Sequence, residues 1–263
     1  MGRKKYVYVF FLTLALTACA PSTQPNLTSP PAAKSADPAS PVAAPSPGAG
    51  QAFQQDFNLA NRTLADSGES RYFILRPGYQ LVLASGPTQL TVTVLNETRE
   101  IGGVRTRVVE EREDKGGQLL EVTRNFYAID PKTGDVFYFG EEVNDYAGGV
   151  VVGNPGAWSA DGSRNKAGLL MPGQPVVGMR YYQEVAPGVA LDRAEVISMS
   201  QTCKTPAGEF KDCLVTRESS DLNPAIEHKA YAPGIGLVQD QALSLVRYGY
   251  VNPKRNGTSL GLG

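Results

Sequence analysis

The chain is poor in the side chains from which most catalytic and metal centres are built. It has one histidine, His228, and three cysteines, Cys19, Cys203 and Cys213. A single imidazole removes most routes to base catalysis and to zinc ligation. No GxSxG, HExxH, P-loop or paired-cysteine zinc spacing occurs, so no metal or cofactor is implied. Asp161, Ser163 and Asn165 imitate the start of a calcium loop, but its twelfth position is Pro172, where a bidentate glutamate is needed. Beyond Arg3, Lys4 and Lys5, clusters of Lys and Arg are missing as well, and the net charge is -1. A surface that tracks phosphates is therefore not expected, nor nucleic acid as a partner. The missing motifs weigh less against an enzyme, because two carboxylates on neighbouring strands leave no sequence signature.

Apolar runs long enough to span a bilayer are also absent. The longest, Tyr6 to Leu16, has about a dozen residues where roughly 20 are required. It follows Arg3, Lys4 and Lys5 and leads into Leu16-Thr17-Ala18-Cys19, the order of a secretory signal. Those last four residues resemble the lipobox of bacterial lipoproteins. The resemblance implies removal of residues 1–18, acylation of Cys19 and attachment to a membrane by lipid. Loss of the three leader cations takes the net charge from -1 to -4. Ala20, where an aspartate would retain the protein, resembles the outer-membrane sorting choice of a source with two membranes. The expected location is thus the cell envelope. Residues 20–50 are mostly Ala, Pro, Ser and Thr, with prolines at 21, 25, 30, 31, 38, 41, 45 and 47. Such a composition cannot offset its ordering entropy and predicts a disordered stalk over 19–50. At about 3 Å per residue it reaches on the order of 90 Å.

What remains is rich in strand formers. Phe53, Phe57 and Leu64 stand at rough helical spacing, and the spacing predicts one short helix within Gln51 to Ser67. Beyond it, runs such as Tyr79 to Ala84, Leu90 to Glu97, Val104 to Glu113, Gln118 to Ile129 and Asp135 to Val143 are dense in Val, Ile, Thr and aromatics. Gly102-Gly103, Gly116-Gly117, residues 130–135 and Thr205-Pro206-Ala207-Gly208 supply turn chemistry between neighbours. Such short connections exclude parallel crossovers. Leu191 to Gln239 reads as three or four antiparallel strands in succession and organises the domain. The expected fold is all-β and mainly antiparallel: a single curved meander sheet or half-barrel over residues 51–251 with one short N-terminal helix, followed by a flexible tail at 252–263. Asp145 to Pro175 reads as a long loop holding the sole tryptophan, Trp158, as an end plug or a ligand contact.

Five positions carry the candidate chemistry of the domain. Cys203 and Cys213 flank the Pro206-Ala207-Gly208 turn. A three-residue loop there sets Cys203 against Lys211 and makes Cys213 its diagonal neighbour, about 7 to 8 Å away and slightly beyond disulfide range; a slacker loop sets the two face to face. An oxidising compartment favours a disulfide, and two packed free thiols are the alternative. Arg124 shares strand parity with Leu120, Val122 and Phe126, so a guanidinium falls on an apolar face and needs a carboxylate. Glu111 is the first candidate, as a structural ion pair or as a polar anchor in a ligand cavity. His228 shares parity with Ile226 and Ala230 and is expected to be partly buried.

Tyr72-Phe-Ile-Leu-Arg-Pro-Gly78, Pro172-Gly-Gln-Pro-Val-Val-Gly178, Thr205-Pro-Ala-Gly-Glu-Phe210 and Tyr231-Ala-Pro-Gly-Ile-Gly-Leu-Val238 together resemble a group of uncharacterised bacterial secreted lipoproteins. Those proteins share a TPAGTF hairpin and a YYAPGVGLV closing strand. The likeness runs from Tyr72 to Tyr250; Ile74 and Ala230 depart from the shared pattern. It implies antiparallel sheets similar to the half-barrels of lipoprotein carriers and implies no activity. The leading expectation is a non-enzymatic, lipid-anchored envelope protein that binds an unknown ligand or an envelope protein with its curved sheet. The alternatives are an envelope hydrolase working through paired carboxylates, with Glu110, Glu111, Glu121 and Asp192 as candidates, and a purely structural envelope lipoprotein.

Overall fold

Alternating apolar residues separated by glycine turns build long hairpins, and in a computed structural model of the chain these join edge to edge. The structure describes residues 52–160, 162 and 164–251, so the expectations for the leader, Cys19, the stalk and the tail lie outside the described residues. Strands β1 (Gly68–Ser70) and β2 (Phe73–Leu75) form a small separate hairpin. Five strands follow as a meander: β3 (Tyr79–Ser85), β4 (Thr88–Ile101), β5 (Val104–Lys115), β6 (Gln118–Ile129) and β7 (Val136–Ala147). The turns between β4 and β5 and between β5 and β6 fall on the glycine pairs at 102–103 and 116–117. Next come β8 (Val150–Gly153), β9 (Trp158–Ser159), β10 (Lys166–Met171), β11 (Arg180–Tyr182) and β12 (Glu184–Val185). A second meander closes the chain: β13 (Asp192–Thr205), β14 (Gly208–Ser220), β15 (Asn223–Ala232), β16 (Gly236–Asp240) and β17 (Leu243–Tyr250).

The two meanders meet where β17 pairs with β3, with Leu245 opposite Leu83. The order across the 15-stranded sheet is β11-β13-β14-β15-β16-β17-β3-β4-β5-β6-β7-β10-β12. Its two end strands are consecutive in sequence. Arg180–Tyr182 pairs with β13, and after Gln183 the same segment changes partner to β10. The amide of Gln183 continues the seam by donating to the Asp192 carbonyl at 2.8 Å. The sheet therefore curves almost to closure, which removes the free edges a long meander would otherwise present. Its core includes Tyr72, Leu75, Leu83, Ile129, Phe137, Tyr181, Val196, Leu214 and Leu245, all fully buried. Each such aliphatic or Phe side chain contributes about 1.5–3 kcal/mol by leaving water.

The all-β, mainly antiparallel reading holds, with three local corrections. Residues 52–67 form no α-helix; only a single 3-10 turn, Leu59–Asn61, is present. The apolar residues there serve separate partners: Phe57 packs on Phe137, Phe53 on Tyr182, and Ala65 bridges Ile129. Extended backbone reaches all three, whereas a helix would gather them on one face. The stretch Asp145 to Pro175 is not one long loop, because β8, β9 and β10 all pair with β7. Lastly, the hairpin at 205–208 is tighter than a three-residue loop, with Thr205 opposite Gly208 and Cys203 opposite Phe210. The distal end of that hairpin packs across β17. Ala207 donates its amide to the Leu245 carbonyl at 3.0 Å, Phe210 meets Tyr248 edge-on, and the Tyr72 hydroxyl donates to the Asp212 carbonyl at 3.0 Å.

Candidate binding site inside the sheet

Strand pairing carries one line of side chains across the concave face. Leu81 lies opposite Val92, Val92 opposite Glu111 and Glu111 opposite Thr123. Leu81, Val92 and Glu111 of this line, with Tyr79, Val94, Val109 and Tyr127, form one wall of a cavity of about 110 Å³. The facing wall comes from Lys229 and Tyr231 on β15, Ile235, Leu237 and Asp240 around β16, and Leu170 and Gln183 near the seam. Phe73 and Ile74 of β2 complete the lining. The Tyr79 hydroxyl donates to the Ile235 carbonyl at 2.9 Å and ties the walls together. The chamber is thus apolar over most of its lining and carries three ionisable groups, Glu111, Lys229 and Asp240.

Those charges are unequally matched. Lys229 Nζ sits 3.1 Å from Glu218 Oε2 and lies opposite Asp240 in the ladder. Glu218 Oε1 also accepts from Thr216 Oγ1 at 3.0 Å. Burial opposes the charge on Lys229, but Glu218 and Asp240 outweigh it and hold the ammonium well above the ordinary lysine range. The half-buried Glu111 carboxyl is pushed up to about 7. Burial is the main cause; Lys229 pulls it down, while Asp240, Glu121 and Glu218 add repulsion.

The same imbalance continues around the interior. Burial pushes Glu141 up to about 7; the Tyr138 hydroxyl works against this, and Glu111, Asp192 and Glu121 reinforce it. The buried Glu184 is held well above the carboxylate range by burial and Asp192, although its Oε1 accepts the Asp192 amide at 2.6 Å. Burial also raises Glu121, Asp192, Glu227 and Asp240. A bulge brings Glu141 into this group. Between Tyr127↔Tyr138 and Asn125↔Glu141 the β7 side has one extra residue, so Tyr138 and Glu141 share a face. Gly140 makes the bulge possible: its φ is 146°, and a Cβ there would meet the Trp158 carbonyl oxygen at 2.5 Å. Among the described residues no group of three or more His, Cys, Asp or Glu is arranged to hold a metal ion.

Of the residues singled out from sequence, Glu111 is in the chamber and Arg124 is not. Arg124 lies between Glu110 and Glu142 in the ladder, on the opposite face, and its ion pair is with Glu97. The correction follows from register: Glu111 pairs with Thr123, and one residue along a strand reverses the direction of the side chain. Trp158 is buried edge-on against Tyr138 at 5.2 Å and does not line the chamber. Cys203 and Cys213 are both buried, their thiols free and in hydrogen-bond contact with each other. A register shift sets Cys213 against Gln201 while Cys203 faces Phe210, so the two are not directly opposed. His228 is exposed, correcting the expectation that it is partly buried, since the inward parity of β15 belongs to Lys229 and Tyr231. Lys229, Asp240 and Glu218 belong to no motif in the sequence. The one available signal was Lys229 alternating with Tyr231.

No family model matches the chain, and no curated protein matches it. Among solved structures it is similar to a protein from Bacteroides fragilis NCTC 9343 that is described as exported and as having a YmcC-like fold. The two are 16% identical; the likeness covers 68% of this chain and 99% of that one, with a TM-score of 0.34. The likeness is slight, and no residue role is taken from it.

Proposed function

We propose that the protein is a non-enzymatic, lipid-anchored protein of the cell envelope that holds a small ligand inside its curved sheet. The observation that carries this reading is the chamber: a side-chain-filled interior would indicate a structural role, whereas here about 110 Å³ is left between Leu81, Val109, Glu111, Lys229 and Tyr231. That volume is below the 300–1,000 Å³ typical of drug-sized ligands, so the ligand, or the part of it enclosed, is small. The leader and Leu16-Thr17-Ala18-Cys19 support the envelope location, with the membrane reached through lipid on Cys19. The carboxylate-hydrolase alternative loses one of its pairs, because Glu110 and Glu111 are successive residues of β5 and face opposite sides of the sheet.

The test is to fill the chamber. Val109 is buried on its wall, and Val109→Phe occupies much of the space. Protein purified from the envelope fraction is denatured in organic solvent, and the released small molecules are identified by mass spectrometry. The wild type is expected to release a species that folded Val109→Phe does not. Identical extracts from both proteins would overturn the binding reading.

A further inference from the structure

We propose that the chamber takes a small primary ammonium ion, with its alkyl part against Leu81, Val92, Val94 and Val109 and its charge between Glu111 and Asp240. The proposal rests on the binding reading above and names its ligand class. Its first ground is the count of cations. Lys229 is the one cation among the described lining residues, and it is already engaged by Glu218 at 3.1 Å. Glu111 has neither a hydrogen bond nor an ion pair with any described residue, although it faces the chamber. Glu121 and Glu141 add further carboxylates to its field. An anion entering there meets repulsion, and a neutral alkyl group leaves a desolvated carboxylate without a partner. A cation relieves both.

The second ground is the aromatic part of the lining. The rings of Tyr127 and Tyr231 add faces on which a cation is favoured over a neutral head group. Size sets the rest. A cavity of about 150 Å³ holds a benzene, so the smaller chamber suits a chain of about four carbons.

The experiment titrates the full chain, in detergent micelles at about pH 7.5, with n-butylammonium, n-butanol and butyrate, and follows the methyl NMR signals of Val92 and Val109. Saturable shifts are expected with butylammonium, at a Kd at least about tenfold below that of butanol, and none with butyrate. Glu111→Gln and Asp240→Asn are each expected to weaken butylammonium about tenfold and to leave butanol unchanged. If Glu111→Gln fails to fold, Asp240→Asn carries the comparison. Butanol or butyrate binding as tightly as butylammonium overturns the cationic class and leaves the binding chamber standing, as does full butylammonium affinity in the folded variants. If none of the three compounds shifts either methyl, the chamber is packing space and the binding reading falls with the proposal.

Discussion

Glu111 is a carboxyl in a position where burial works against its charge. Its folded-state value of about 7 exceeds the ordinary 4.5, so between those values the folded chain binds more protons than the unfolded one. The stability this confers is fully present below about pH 4.5 and is lost as pH rises through about 7. Glu141 acts in the same sense over the same window. Glu111→Gln keeps the shape and removes the titration. Its melting temperature is expected to match that of the wild type near pH 5 and to exceed it by about 4 °C near pH 8. Differential scanning calorimetry at several pH values measures the gap. A gap independent of pH would mean that Glu111 is not held protonated by the interior.

At the scale of elements, the segment Arg180–Val185 does the closing. It pairs with β13 in its first half and with β10 in its second, and the chain before the first strand is laid along it: Gln54 donates to the Arg180 carbonyl at 3.0 Å and accepts from Tyr182 at 2.9 Å. Phe53 sits under two guanidiniums there, 4.1 Å from Arg180 and 4.8 Å from Arg193. The seam depends on Gly168. A Cβ at that position would lie 2.4 Å from the Gln183 backbone, which belongs to the strand that must approach. Gly168→Ala is therefore expected to destabilise the domain by about 2 kcal/mol, as overpacking against backbone does. Chemical denaturation provides the number. An unchanged midpoint would show that the seam can part without weakening the fold.

For the whole molecule, the tether and the sheet make separable demands. The proposed lipid on Cys19 acts through acyl chains, each methylene contributing about 0.8 kcal/mol on insertion, and 31 residues lie between Cys19 and Gln51. Cys19→Ala is expected to move the protein from the membrane pellet to the soluble fraction while its thermal unfolding stays the same. A variant that still sediments with membranes removes the lipoprotein assignment.

The composition and spacing of this chain determined the class of fold, because alternation of apolar residues and glycine-pair turns is a local property. Gly102-Gly103 and Gly116-Gly117 marked their hairpins in advance. The chamber was not local in that sense. Glu111 and Thr123, Lys229 and Asp240, and Leu81 and Val92 are brought together by registers that bulges adjust one residue at a time, and each such step reverses which side chains face inward. For that reason Arg124 faces away from Glu111, and Lys229 rather than His228 faces the chamber. The helix expected before the first strand failed on a related ground: Phe53, Phe57 and Leu64 have helical spacing, but their partners lie on different parts of a closed sheet that only the tertiary structure defines. Closure itself rests on six consecutive residues changing partner midway. Strand propensity cannot encode that step, because both halves of Arg180–Val185 are equally extended and only the two waiting edges tell them apart.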